Sequence, residues 1–357
     1  MNKYLNKIEY PKILEILSRF AVTRMGKELA TNLVPFTTIE TTKQALAETT
    51  ECHILLYRKG TPPICDIADI TPYIKALEAQ GSLAIPALLE LGNILKMARD
   101  LKEYFNSDID TSFCINLSEY FSNLYSNPSI EQAVFSAIID ENTIDDHASS
   151  MLWHIRKNIQ KTESEIRQKL NSYLHASYIQ EPIVTIRAGR YVIPVKQERQ
   201  SELSGFIHDI SASGSTVFIE PTAVFDMNNK LNSLKLEENN EIEKILHHLT
   251  SLFYPYINEL KQNVELIGRI DFSFAKAKYA ISINANEPVL QEKKSIELIN
   301  ARHPLIAPNE VVPISIPLGE QYSCLIVTGP NTGGKTVTLK TARTFMRNGC
   351  KRPIYSS

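Results

Sequence analysis

With 357 residues, 43% hydrophobic and 22% charged, the sequence has material for two or three domains with apolar cores and is not that of a disordered chain. A formal net charge of -2 removes any whole-chain electrostatic argument for nucleic acid, so such a site must be a local patch. Cys52, Cys65, Cys114, Cys324 and Cys350 are scattered without a C-x-x-C pair, and Lys3, Lys7, Glu9, Lys12, Glu15 and Arg19 interrupt the first twenty residues. Reduced thiols, no signal peptide and no membrane span are therefore expected, in a cytoplasmic protein.

Residues 1–147 read as short helices joined by polar loops. Ile13, Leu14, Ile16 and Leu17 take helical spacing within Glu9 to Phe20, as do Ala45, Leu46, Ile54 and Leu55 within Ile39 to Tyr57. Leu88, Leu89, Leu91, Ile94, Leu95, Met97 and Leu101 mark a third helix from Ile85 to Tyr104, and Pro35, Pro62, Pro63 and Pro128 punctuate the pattern. These stripes are core, and no catalytic constellation stands among them.

Residues 148–294 form a second part. Leu152, Ile155, Ile159, Thr162, Ile166 and Leu170 step by three and four residues, the seam of one long helix that packs lengthwise on a partner. The expected partner lies in Asn228 to Ser282, with a break just before Pro255, where a backbone donor is lost and the ring clashes with the preceding turn. Between the two, Ile183 to Arg187 and Tyr191 to Val195 flank Ala188-Gly189-Arg190 as one β-hairpin. Gly205 to Ile210 and Ser215 to Glu220 flank Ser211-Ala212-Ser213-Gly214 as another. A small β module on a helical arm is the shape predicted.

Residues 295–357 turn to α/β character, with short strands at Ile296 to Ile299 and Val311 to Ile316. A buried strand at Cys324 to Thr328 and a helix from Thr336 to Asn348, with Gly349 as its cap, then enclose Gly329-Pro330-Asn331-Thr332-Gly333-Gly334-Lys335-Thr336. That octet fits G-x-x-x-x-G-K-[ST] in its strand-loop-helix setting. Glycines let successive backbone N–H groups point at phosphate, Lys335 reaches the β and γ phosphates, and Thr336 is the expected magnesium ligand. ATP and Mg2+ are the implied cofactors. A phosphate-loop sheet needs further strands and a second acidic motif, and the sequence carries neither before Ser357.

Other residues leave two readings open. Arg187, Arg190 and Lys196 stand in a local basic excess near the first hairpin, suited to phosphates or equally to a solvated face. Asn331 suits the turn of a Gly-rich loop, and His303 before Pro304 borders a nucleotide or is structural. His208-Asp209 near Ser211, Ser213 and Ser215 lacks a G-x-S-x-G elbow and a second metal ligand, so a hydrolase or metal reading is rejected in favour of a structural turn.

Three stretches together resemble the MutS family, and within it the second bacterial branch, MutS-two: Ala301-Arg302-His303-Pro304-Leu305, Leu325 to Thr341 (LIVTGPNTGGKTVTLKT), and Gly205 to Leu231 (GFIHDISASGSTVFIEPTAVFDMNNKL). The last is the branch-specific one, and the resemblance covers about residues 1–341. It implies a helical core and lever, a clamp on long helices, and an ABC-type ATPase domain that completes its nucleotide site in a homodimer and in which Asn331 faces a γ-phosphate. It also implies branched or mismatched DNA as partner, suppression of recombination, and in some bacteria the splitting of stalled ribosomes through rRNA or ribosomal protein. The family is a DNA-dependent ATPase and carries an Smr endonuclease domain. From Ala342 the sequence (ARTFMRNGCKRPIYSS) departs from the family's apolar helix, and Walker B, the ABC signature and Smr are missing. The fold expected is thus mainly α with a small β module and an incomplete C-terminal α/β P-loop domain. A carboxy-truncated member that binds ATP weakly without turnover, or an inactive fragment, follows; no residue is assigned a catalytic role.

Overall fold

The computed structural model describes residues 3–107, 111–290, 296–307, 309–319, 324–328 and 334–347. Among the described residues, eight helices open the chain: α1 (Lys3–Lys7), α2 (Tyr10–Ser18), α3 (Arg24–Thr31), α4 (Ile39–Lys59), α5 (Thr71–Glu78), α6 (Ile85–Asn106), α7 (Ile115–Ser122) and α8 (Pro128–Ala137). Local chemistry sets several of their starts. Thr23 Oγ1 accepts from the Gly26 amide at the head of α3, Thr38 Oγ1 does so from Thr41 at α4, and each satisfies an otherwise orphaned donor. A two-stranded ladder, β1 (Ile138–Asp140) with β2 (Thr143–Ile144), precedes α9 (Ser150–Asn171), whose N-cap Ser149 accepts from the Leu152 amide.

The β module follows: β3 (Thr185–Arg187), β4 (Arg190–Lys196), β5 (Gly205–Ile210) and β6 (Thr216–Pro221), an antiparallel sheet in the order β3-β4-β6-β5. Ala188 and Gly189, both at positive φ, make the two-residue turn of the first hairpin, the geometry whose twist matches the flanking strands. Then come α10 (Thr222–Ser251), a 3-10 turn over Tyr254–Tyr256, and α11 (Ile257–Ser282). The break expected at Pro255 is thus present, with the proline inside that turn. Last come β7 (Ile296–Ala301), β8 (Ile314–Leu318) and α12 (Lys335–Arg347).

The chain divides into two compact units, one of residues 1–74, 90–131 and 256–357, the other of 75–89 and 132–255. In the first, α11 packs on α3 and α4, and its Asp271 carboxylate, buried, accepts from the amides of Val22 and Thr23 and from Thr23 Oγ1. In the second, α9 lies along α10 as the seam predicts. Ile155, Ile159, Ile166 and Leu170 share a core with Leu231 and Leu234 and with the inward face of the sheet, Tyr191, Ile193, Val195, Val217 and Ile219. Each such side chain contributes about 1.5–3 kcal/mol on burial.

The C-terminal expectation needs correction. Cys324 to Thr328 is not a strand, and Ile326 is 80% exposed. The described residues there form an antiparallel pair, β7 with β8, covered by α12 through Leu298, Ala301, Ile316 and Ala342, and no P-loop ATPase fold. A strand needs a neighbour for its backbone groups, and β7 and β8 pair with each other instead. β8 starts at Ile314, later than the Val311 expected.

Candidate functional site

Of the predicted phosphate loop, Gly329, Pro330, Asn331, Thr332 and Gly333 lie outside the described residues. Gly334 sits at φ 80°, a conformation glycine adopts without cost, and its carbonyl accepts from the Thr338 amide and hydroxyl at 2.9 and 3.1 Å. Lys335 is the first residue of α12 and Thr336, exposed, the second, so both stand where a helix presents free amides and positive dipole. For Mg2+ the exposed Thr336 hydroxyl has suitable chemistry, an oxygen donor for a hard cation, but supplies only one of its ligands.

Helix α12 is fastened from behind. Lys340 Nζ lies 2.8 Å from Glu9 Oε2, and Lys12 Nζ lies 2.7 Å from the other oxygen. Hydrogen bonds from Lys12 and then Lys340 pull the Glu9 carboxyl down to about 2. His303 is buried beside this pair. Its Nδ1 accepts from the Leu305 amide at 3.3 Å, and burial pushes the imidazole below its ordinary range.

In the β module one of the predicted cations, Arg190, is bound to a buried carboxylate. Glu220, fully buried on β6, accepts from Arg190 Nη1 at 2.7 and 2.9 Å and from Asn228 Nδ2 at 2.7 Å, and pairs with His208 Nε2 at 2.6 Å. Arg190 also donates to Asn229. Arg187 lies 4.1 Å over the Phe218 ring and 3.1 Å from Asp209. Lys196 donates to the Ser177 carbonyl at 3.1 Å and, alone of the three, has no carboxylate partner among the described residues. His208 and Asp209 stand on β5 and not in the turn expected, and they pair with Glu220 and Arg187. Glu220, Asn228 and Asn229 were not singled out from sequence. A glutamate closing the apolar run Thr216-Val217-Phe218-Ile219 was the available signal, since a carboxylate there needs a partner.

Among the described residues there is no group of three or more His, Cys, Asp or Glu side chains placed to hold a metal, and no helix long and apolar enough to cross a membrane.

A long helix pair, α9 and α10, packed on a small antiparallel sheet, and a helix, α12, that begins just after a glycine belong to a mainly helical protein. Comparison with known proteins gives the lineage. The chain is homologous, over about 95% of its length, to proteins named endonuclease MutS2. It is 44% identical over 348 residues to the endonuclease MutS2 of Acetivibrio thermocellus, covering 96% of this chain and 44% of that protein. It is 41% identical over 350 residues to that of Ruminiclostridium cellulolyticum, 97% of this chain and 44% of that protein. The Clostridium perfringens SM101 protein is 40% identical over 342 residues, 95% and 44% respectively. The chain therefore spans less than half the length of these relatives. No protein-family model matches it.

Proposed function

We propose that this chain is a nucleotide-responsive, DNA-binding clamp of the MutS2 type. Kinship with the MutS2 proteins across nearly the whole chain carries the reading. Gly329 to Thr336 would hold ATP, with Lys335 on its outer phosphates, and Thr336 would ligate the accompanying Mg2+, which would supply positive charge against the phosphates. The β module, through Arg187, Arg190 and Lys196, engages the phosphates of branched or mismatched DNA, and two copies close around it. Lys196, with its charge uncommitted, carries most of this contact. The site of action is the cytoplasm. The endonuclease activity in the relatives' name is assigned to no residue of this chain.

The test is salt-dependent binding of the purified chain to four-way junction DNA, duplex DNA and ribosomes, with and without ATP and Mg2+. Preference for junctions, altered by ATP in the parent and not in Lys335→Ala, is the expected result. Preference for ribosomes would replace DNA with rRNA or ribosomal protein as the partner. Unchanged ATP affinity in Lys335→Ala would remove the assigned nucleotide site.

A further inference from the structure

A cleft of about 520 Å³ opens between α2, the turn that carries His303, Leu305 and Ile306, and α12. It is distinct in composition from the phosphate loop. Ile16, Leu305, Ile306 and Val337 give it apolar walls, while Glu9, Glu15, Lys12, Arg19 and Lys340 bring charge to the same space. A pocket of several hundred cubic ångströms, mostly apolar with a few convergent polar groups, is of the kind that takes a small molecule.

His303, which lines the cleft, gives the specific clue. It is 4% exposed, and its Nδ1 accepts from the Leu305 amide, so in the neutral ring the proton sits on Nε2. That Nε2 is buried and has no hydrogen-bond partner among the described residues. A buried donor left unmet is costly, and native structures seldom keep one without a use. Burial lowers the pKa of His303 and keeps the ring neutral, hence a single-proton donor, at neutral pH.

Glu9 supplies the complementary group. Its backbone is held at φ 57°, a left-handed conformation unfavourable for glutamate, as the residue before α2. Its two carboxylate oxygens each accept from one lysine, Lys12 and Lys340, which leaves further lone pairs. A donor and an acceptor on one cleft, with apolar walls, match a flat heteroaromatic edge that pairs a ring acceptor with an amino or ring N–H donor. Purines have such edges. Lys12 and Arg19, both exposed, pair with Glu9 at 2.7 Å and with Glu15 at 2.8 Å, and together with Lys340 they leave the cleft one positive charge in excess for a phosphate attached to that base.

We propose that the cleft between α2, His303 and α12 binds a purine mononucleotide, with the base edge on His303 Nε2 and Glu9 and its phosphate toward Lys12 and Arg19, independently of the phosphate loop. Such a ligand touches Lys340 and Val337 on the helix that Lys335 begins, so its occupancy reports directly on α12.

Calorimetric titration of the whole 357-residue chain with AMP, GMP and inorganic phosphate tests this. Saturable binding of AMP or GMP, with none of phosphate alone, is expected. Val337→Trp fills the cleft from an exposed position and should weaken binding about ten-fold or more, the cost of one lost hydrogen bond or its equivalent. Lys335→Ala should leave it intact. Because His303→Ala alters a buried position, His303 is also followed in the parent chain by 15N resonances of the imidazole, where nucleotide should shift Nε2. No saturable binding at millimolar AMP or GMP, binding indifferent to Val337→Trp, an unmoved Nε2 resonance, or loss in Lys335→Ala would each overturn the proposal. The last would move the mononucleotide to the phosphate loop, and loss of ATP binding alone in that variant bears only on the loop.

Discussion

Arg190 Nη1 donates to both oxygens of Glu220, at 2.7 and 2.9 Å, and Glu220 is fully buried. Removing the arginine leaves a carboxylate with only Asn228 and His208 to compensate it, far from water. Arg190→Met is therefore expected to lower stability by about 3 kcal/mol, seen as a fall in the urea midpoint. Arg190→Lys should recover only part, because an ammonium does not offer the planar fork that spans Glu220 and Asn229. An unchanged midpoint in Arg190→Met would show that the network is solvated.

Lys196 makes the opposite forecast. Its ammonium meets a carbonyl and no carboxylate among the described residues, so its charge is available to a phosphate. Lys196→Ala should leave the urea midpoint nearly unchanged while reducing the slope of log K against log salt for junction DNA by about 1. A slope equal to the parent's would take Lys196 out of the interface.

Much of the architecture is legible in the residues because it rests on period. Leu152, Ile155, Ile159, Ile166 and Leu170 repeat at the spacing of one helix face, all of them are buried, and α10 is the helix that lies along them. The two hairpins and the break at Pro255 are legible for similar local reasons. What failed was non-local. Leu325, Ile326 and Val327 have strand chemistry, but a strand exists only beside another strand, and they pair with none among the described residues. The Glu220 network was hidden for the same reason. No periodicity brings Arg190, His208 and Asn228 to one carboxylate; the sheet order β3-β4-β6-β5 does so.

Ala188 holds φ 50° in the β3-β4 turn, followed by Gly189 at φ 76°. Left-handed backbone is costly for alanine and much less so for asparagine, and Asn-Gly is the favoured pair for this turn. Ala188→Asn should raise stability by about 0.5–1 kcal/mol, with the urea midpoint moving up at constant slope. A lower midpoint would mean that the methyl group makes a contact worth more than the strain.

Glu9 provides a pH signature. Its folded pKa, about 2, lies below the ordinary 4.5 because Lys12 and Lys340 favour the charged form. The unfolded chain therefore binds the proton more readily, and the contribution is present above pH 4.5 and disappears as pH falls toward 2. The stability gap between the parent and Glu9→Gln should be open at pH 7, close over that window, and narrow in high salt, since the lysines are partly exposed. A gap independent of pH would assign the effect to the backbone at Glu9 rather than to its charge.

Asp271 gives the most stringent test of the first compact unit. Its carboxylate, on α11, accepts from the Val22 amide at 2.9 and 3.1 Å, the Thr23 amide at 2.7 Å and Thr23 Oγ1 at 2.8 Å. The same Thr23 oxygen caps α3 by accepting from Gly26 at 2.9 Å, so one carboxylate orients the residue that starts a helix more than 200 positions away. Asp271→Ala strands two amides and frees the cap to rotate, for an expected loss of about 3 kcal/mol or more. Asp271→Asn keeps one acceptor oxygen and should cost about half as much, because charge-assisted bonds are roughly twice as strong as neutral ones. Thr23→Val removes the cap and one donor, and its loss should not add to that of Asp271→Ala, since both break the same junction. Strict additivity in that double-mutant cycle, read from urea midpoints, would show that Asp271 and Thr23 act separately.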